Sequence, residues 1–241
     1  MNPPLSIVVP VLNEAGQVAQ RLALLAPLRA RGVEVIVVDG GSQDGTTDLA
    51  RNGADQVVVA PRGRASQMNA GALASRAPHL LFLHADTLLP PNADRLIASA
   101  LSALTTGTPR ACWGRFDVQI DGQLRGLRMV AAFMNARSRL TGIATGDQGL
   151  FMTRAAFDAV GGFPPIALME DVAMSQRLLK LGRPACLRDK VRTSGRRWEQ
   201  HGLWRTIVLM WRLRLAYFFG ASPDQLALRY GYKPAPPKDR P

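Results

Sequence analysis

Cysteine is scarce: the 241 residues contain only Cys112 and Cys186, which excludes a disulfide framework and any zinc site built from thiolates. A reducing, cytoplasmic setting is the expectation. No apolar run reaches the roughly 20 residues of a membrane-spanning helix, because the most apolar late segment, residues 207–219, is broken by Arg212 and Arg214. The first apolar run, residues 7–11, follows no basic stretch and is shorter than the about 7–15 residues of a signal-peptide core. Nothing here looks exported. Neither G-x-G-x-x-G nor P-loop spacing occurs, so a Rossmann dinucleotide site and a Walker-type nucleotide site are both unsupported. Internal repeats are missing, as are helix-turn-helix, zinc and RNP patterns, which sets nucleic acid aside as a partner despite a sequence pI of about 11.0.

What the chain does have is apolar material, 47% of residues against 20% charged, enough for a core in one large domain or two small ones. The formal net charge of +12 is uneven: residues 1–110 carry 9 basic and 8 acidic side chains, residues 111–241 carry 21 and 10. The first half alternates short β-branched runs with Ala-rich stretches, the pattern of βα units around a parallel sheet. Strands are predicted at 5–11, 33–39, 55–59 and 79–83, with helices at 15–31, 46–52 and 64–77. Continuous apolar runs such as Val35-Ile36-Val37-Val38 indicate strands covered on both faces. Further strands are predicted at 111–120 and 150–153, and further helices at 124–139, around 154–160, and from about Asp171 to Gly182.

Ligands of such open sheets bind beyond the carboxyl ends of the strands. The polar residues collect there: Asn13 and Glu14 after the first strand, Asp39 after the second, Arg62 and Arg64 after the third, His84 and Asp86 after the fourth. Four strand ends therefore face one crevice. The Asp39–Thr46 loop, with Gly40, Gly41 and Gly45, is a sharp strand-to-helix turn that lets backbone approach a ligand closely.

Taken in order, these segments resemble the family 2 glycosyltransferases of the GT-A fold. Ser6–Glu14 is similar to that family's opening strand, Val37–Thr46 to its second, and Arg64–Gly71 to its nucleotide-proximal helix start. Leu83-His84-Ala85-Asp86 stands where the family carries a metal-binding Asp-x-Asp, and Gly161-Gly162-Phe163 followed by Glu170-Asp171 matches its Gly-Gly-Phe and Glu-Asp motifs. Within the family the chain resembles the small bacterial radical-SAM/selenodomain-associated group, a label that names neighbours and no reaction.

The resemblance implies an α/β, GT-A-like architecture: a mostly parallel, doubly wound sheet with helices on both faces and a C-terminal helical extension. The expected organisation is a catalytic domain over 1–200, with a nucleotide-binding half (1–110) and an acceptor half (111–200), then a helical, basic and aromatic extension (201–232) and a loose tail (233–241). The implied activity is inverting hexosyl transfer from a nucleotide-diphosphate sugar, by family usage a UDP-sugar, to an unknown acceptor. A divalent cation, Mn²⁺ or Mg²⁺, is implied on the diphosphate, where it stabilises the leaving group as a Lewis acid.

Asp171 is implied as the general base, with Glu170 beside it. Pro10, Asn13, Glu14, Asp39, Arg62, Arg64, Asn69, His84 and Asp86 are expected at the donor, and Gly146, Asp147 and Gln148 at the acceptor. Asp86 and His201 are the expected metal ligands. The first acid of Asp-x-Asp is His84 here, which supplies no carboxylate and can instead bond a ribose or phosphate oxygen. That departure also keeps a non-catalytic nucleotide-sugar-binding scaffold open.

Arg196-Arg197-Trp198 is similar to the end of the Gln-x-x-Arg-Trp motif of processive members, with Ser194 in the place of Gln; this and the lack of spans argue against polymer synthesis. All three tyrosines and three of the four tryptophans follow Arg197. On a helical wheel for 203–219, Trp204, Val208, Trp211, Leu215 and Phe218 share one face, and Leu209, Met210, Leu213 and Tyr217 the opposite one. A helix apolar on two sides needs two partners. One is expected to be the catalytic domain, the other a second subunit or an anionic membrane surface. The membrane alternative makes the chain a polyprenyl-phosphate glycosyltransferase, peripheral on the inner membrane face.

Overall fold

The computed structural model describes residues 2–102 and 111–232, and the expected tail 233–241 lies outside them. The first half runs β1 (Ser6–Val11), α1 (Val18–Ala23), α2 (Ala26–Arg29), β2 (Glu34–Asp39), α3 (Thr46–Arg51), β3 (Gln56–Val59), α4 (Arg64–Ala74), β4 (His79–Phe82), β5 (Thr87–Leu88) and α5 (Ala93–Ser102). The second half adds β6 (Trp113–Asp121), α6 (Leu127–Thr141), β7 (Leu150–Thr153), α7 (Arg154–Ala159), α8 (Glu170–Leu178) and β8 (Ala185–Ser194). Three helices close the described chain: α9 (Arg196–His201), α10 (Leu203–Phe218) and α11 (Pro223–Tyr230).

One eight-stranded sheet, in the order β3-β2-β1-β4-β7-β6-β8-β5, carries all of this. The first four strands are mutually parallel, with Val9 opposite Val37 and Val8 opposite Phe82. β7 then runs antiparallel to both β4 and β6, and β5 antiparallel to β8. The sheet is thus mostly parallel, with two reversed strands in its second half.

Side chains alternate along each strand, so the apolar runs split between two cores. Ile7, Val9, Val35, Val37 and Leu81 pack against Leu22, Leu28, Ile97 and Val130 on one face. Val8, Ile36, Val38, Leu80 and Phe82 pack against Met68, Ala72, Phe157 and Met174 on the other. Helices cover both faces, which is why alternation is invisible in these strands.

The predicted helix at 15–31 is two short ones, because Pro27, which lacks an N–H, sits in the first turn of α2. β8, β5 and α5 were not predicted. β8 reads Leu187-Arg188-Asp189-Lys190-Val191-Arg192, and its middle residues 188–190 are exposed, so it lacks the apolar run by which a covered strand is recognised.

α4 lies close to β1 and β2 through Gly71. A Cβ there would stand 2.3 Å from Val8 Cγ1 and 2.9 Å from Val38 Cγ2. Gly71→Ala gains about 1 kcal/mol of helix propensity but overpacks a rigid β-branched surface, a cost of about 1–3 kcal/mol. The expected net result is a lower urea midpoint; an unchanged or higher midpoint would mean that α4 can lift off the sheet without loss.

The two faces of α10 have different fates. Leu209, Met210, Leu213 and Tyr217 join Leu168, Met169, Leu226 and Ala227 in a third apolar cluster. Trp204, Val208, Trp211, Leu215 and Phe218 are exposed. Among the described residues no helix is long and apolar enough to cross a membrane.

Candidate active site

The crevice lies at the carboxyl ends of β1, β2 and β4, where three turns hold one another. Asp39 is buried, and its carboxylate accepts from the N–H groups of Gly41 and Ser42, both at 2.9 Å, and from the Ser42 hydroxyl. Asn13 adopts φ 54°, a left-handed conformation that Asn tolerates better than most residues. Its N–H donates to Ser42 Oγ at 2.8 Å and its Oδ1 accepts from Gln43 N–H at 3.0 Å. The Glu14 N–H donates to Thr46 Oγ1 at 2.8 Å, and Pro10 pairs with Val38 in the register beneath them.

Acids gather at this rim. Burial pushes the Glu14 carboxyl up, and the carboxylates of Asp86 and Asp44 push the same way against the Arg196 guanidinium. Among the described residues Asp86 itself receives one long bond, 3.5 Å from Thr87 Oγ1, which leaves most of its oxygen lone pairs open to a ligand there.

Across the crevice, the short 3₁₀ turn Gly146–Gln148 connects the fourth strand's loop to α8. His84 Nδ1 lies 3.1 Å from Asp147 Oδ1, and the imidazole packs so closely on Gly146 that a Cβ there would stand 2.2 Å from Nε2. The Gly146 N–H donates to Asp171 Oδ2 at 2.8 Å, while Asp171 Oδ1 accepts from Val172 N–H at 2.7 Å. Burial raises the Asp147 carboxyl, but the His84 bond and the charges of Arg64 and Arg214 outweigh it and hold the group below the usual carboxylate range. His84, Asp147, Gly146 and Asp171 therefore form one connected set.

Glu170, next to Asp171, is buried, and its carboxylate stands 3.9 Å from Arg64 Nη1 at the start of α4. Burial and the adjacent Asp171 charge push the Glu170 carboxyl up, with Arg64 opposing. This contact ties α4 to α8.

Some predicted ligand-facing residues point elsewhere. The Asn69 amide exchanges two 2.9 Å bonds with the Phe163 backbone and so braces the Gly161-Gly162-Phe163 turn. Gln148 is fully buried; its Oε1 accepts from Thr145 N–H at 3.1 Å and its Nε2 donates to Asn135 Oδ1. His201 is exposed at the end of α9. It joins no cluster with Asp86: among the described residues no three His, Cys, Asp or Glu side chains are grouped to hold a metal. A protein-only cage is therefore missing, but magnesium characteristically takes one or two carboxylates and completes its shell with substrate phosphates and water. Asp86, with Glu14 near it, fits that donor set.

Arg196 and Arg197, marked in the sequence by likeness to the end of the Gln-x-x-Arg-Trp motif, reach this region. The Arg196 charge, at the start of α9, acts on the Glu14 carboxyl. The Arg62 guanidinium sits 5.4 Å from the ring centroid of Tyr232, and that of Arg197 sits 3.7 Å from the centroid of Tyr230. The C-terminal segment thus folds back over Arg62 and Arg197. The sequence signals nearest to this were the Arg196-Arg197-Trp198 run and the clustering of every tyrosine after Arg197.

Residues 6–160 match the family described as Glycosyl transferase family 2. An uncharacterized glycosyltransferase of Mycobacterium tuberculosis is 39% identical over 82 residues, which cover 34% of this chain and 36% of that protein; the match thus spans about a third of its curated relative. Among solved structures, a mannosyltransferase from Pyrobaculum calidifontis in complex with GDP-Man and Mn²⁺ superposes with TM-score 0.60 at 20% identity, covering 96% of this chain and 70% of that one. S. aureus TarS 1-349 in complex with UDP-GlcNAc gives TM-score 0.58 at 17% identity, over 80% of this chain and 58% of that one. Glucosyl-3-phosphoglycerate synthase from Mycobacterium tuberculosis in complex with Mg²⁺ and UDP gives 0.57 at 19%, over 79% and 70%. The likeness in fold, the family match across more than half of the chain and the ordered strand-end motifs agree: this chain belongs to glycosyl transferase family 2.

Proposed function

We propose that the protein is an inverting glycosyltransferase that uses a UDP-sugar and a divalent cation, with Asp171 as the base. The carrying observation is the connected set His84, Asp147, Gly146 and Asp171, which links the loop after β4, where Asp86 also stands and would meet the diphosphate, to a carboxylate at the start of α8. The acceptor oxygen bonds to the anomeric carbon on the face opposite the diphosphate, the carbon–oxygen bond to the diphosphate breaks, and the acceptor proton passes to Asp171. Asp39 and the Gly40–Ser42 turn receive the nucleoside. Arg62 and Arg64 face the diphosphate, where guanidinium geometry suits phosphate oxygens. Asp86 would hold the cation, which supplies charge stabilisation to the leaving diphosphate when bound.

The motif set also supports placement in the radical-SAM/selenodomain-associated group. Two unpaired, half-buried thiols, Cys112 and Cys186, fit a reducing compartment.

The test is thermal unfolding with UDP, GDP, CDP, TDP or ATP, each with Mn²⁺, Mg²⁺ or EDTA. A ligand that binds only the folded state stabilises it by about 2.7 kcal/mol at a hundredfold excess over Kd. UDP with metal is expected to give the largest shift, EDTA to reduce it, and Asp86→Asn to reproduce the EDTA result in the presence of metal. A UDP shift indifferent to both EDTA and Asp86→Asn would remove the metal from this reading. Silence across the panel would remove the donor.

A further inference from the structure

A cleft of about 640 Å³ opens between α6, α8 and the C-terminal helices, within the size range of small-molecule sites. Arg137, Arg214 and Gln176 line it, together with Val172, Tyr217 and Phe218, and no acidic side chain does. Arg137 stands out: among the described residues it has two buried nitrogens, Nε and Nη2, without a hydrogen-bond partner, where Arg21, Arg115, Ser138 and Arg197 have one such atom each. Burial, with Arg214 and Arg115 adding to it, pushes its pKa down to about 10, and Asp171 is the charge that opposes. Buried donors are nearly always satisfied, and an exception calls for a missing partner. Arg115 offers none, since it is a cation already engaged with Asp117 and the Asn135 carbonyl.

We infer that this cleft binds the phosphate of a phosphomonoester acceptor, with Arg137 and Arg214 donating to its oxygens. The inference rests on the transferase reading above and deepens it by naming the acceptor class. Val172, which lines the cleft, directly follows Asp171, so an acceptor anchored there brings a neighbouring hydroxyl to the base. That hydroxyl loses its proton to Asp171 as its oxygen bonds to the anomeric carbon and the diphosphate leaves; the anchoring phosphate keeps its charge throughout. Phe218 carries the apolar side of the cleft onto the exposed face of α10. The phosphate can therefore belong to a soluble metabolite or to a lipid headgroup, since the same two guanidinium groups recognise both.

The experiment titrates inorganic phosphate into protein saturated with UDP and Mg²⁺ and follows the melting midpoint, for the natural chain, Arg137→Met and Arg214→Gln. Phosphate is expected to raise the midpoint of the natural chain, and each variant to need at least about tenfold more phosphate while keeping its UDP response. Arg137→Met should melt no lower than the natural chain without phosphate, because it loses an unpaired buried cation and no bond; an arginine with a structural role would behave oppositely. A phosphate response untouched by both variants overturns the inference. A missing UDP response with phosphate binding intact overturns the donor assignment and leaves the anion site standing. Sedimentation with phosphatidylcholine vesicles containing phosphatidic acid separates the sources. Binding that Arg137→Met abolishes assigns the site to a headgroup, and a phosphate response without vesicle binding assigns it to a soluble phosphomonoester.

Discussion

Asp171→Asn is expected to slow sugar transfer by about 10²- to 10⁴-fold, the usual span for removal of a general base, while UDP binding is retained. Asn has nearly the shape of Asp and keeps one oxygen acceptor, so either the Gly146 or the Val172 N–H, now bound at 2.8 and 2.7 Å, keeps its partner. The other loses it, at about 1–3 kcal/mol of stability, an effect on folding and not on a bound donor. What Asn cannot do is accept the acceptor's proton. Single-turnover transfer beside a UDP melting curve separates the two consequences. A rate within about threefold of the natural chain would move the base elsewhere, with Glu170 as the next carboxylate to replace.

Asp117→Asn is expected to cost about 3–5 kcal/mol of stability, the toll of breaking a buried ion pair from one side. Arg115 on β6 is fully buried, and Asp117 pairs with it while also meeting Arg139 Nη2 at 2.7 Å. Asn would leave a cation in the interior without its counter-charge. Since domains of this kind are stable by only about 5–15 kcal/mol, a large fall in the urea midpoint follows. Arg192→Ala serves as the comparison: its partner Asp121 stands 2.9 Å away, but the two side chains are 58% and 35% exposed, and such surface pairs are worth about 0–1 kcal/mol. Equal costs for the two variants would mean that water reaches Arg115 far more than its burial implies.

The first half of the chain was legible in the sequence because its information is local. Val35-Ile36-Val37-Val38 is a strand wherever it is placed, and polar residues directly after such a strand must stand at its carboxyl end. Asn13, Glu14, Asp39, His84 and Asp86 all lie there. Gly-Gly-Phe and Glu-Asp were equally readable as ordered motifs. Asn69 was not: its side chain is bonded to Phe163, 94 residues away, and no local pattern distinguishes an amide that braces a turn from one that faces a donor. Gln148 turned inward for the same kind of reason, since Thr145 and Asn135 claim its amide.

The reversal of β7 between β4 and β6, the paired but charged strand β8, the return of Tyr230 and Tyr232 over Arg197 and Arg62, and the unpartnered Arg137 are likewise products of the tertiary structure. Strand identity, helix faces and strand-end chemistry were determined by the sequence, through hydrophobic periodicity and turn residues that act within a few positions. Partner choice among buried polar groups was decided by the fold, because hydrogen bonding and ion pairing depend on which distant residues the folded chain brings within about 3 Å.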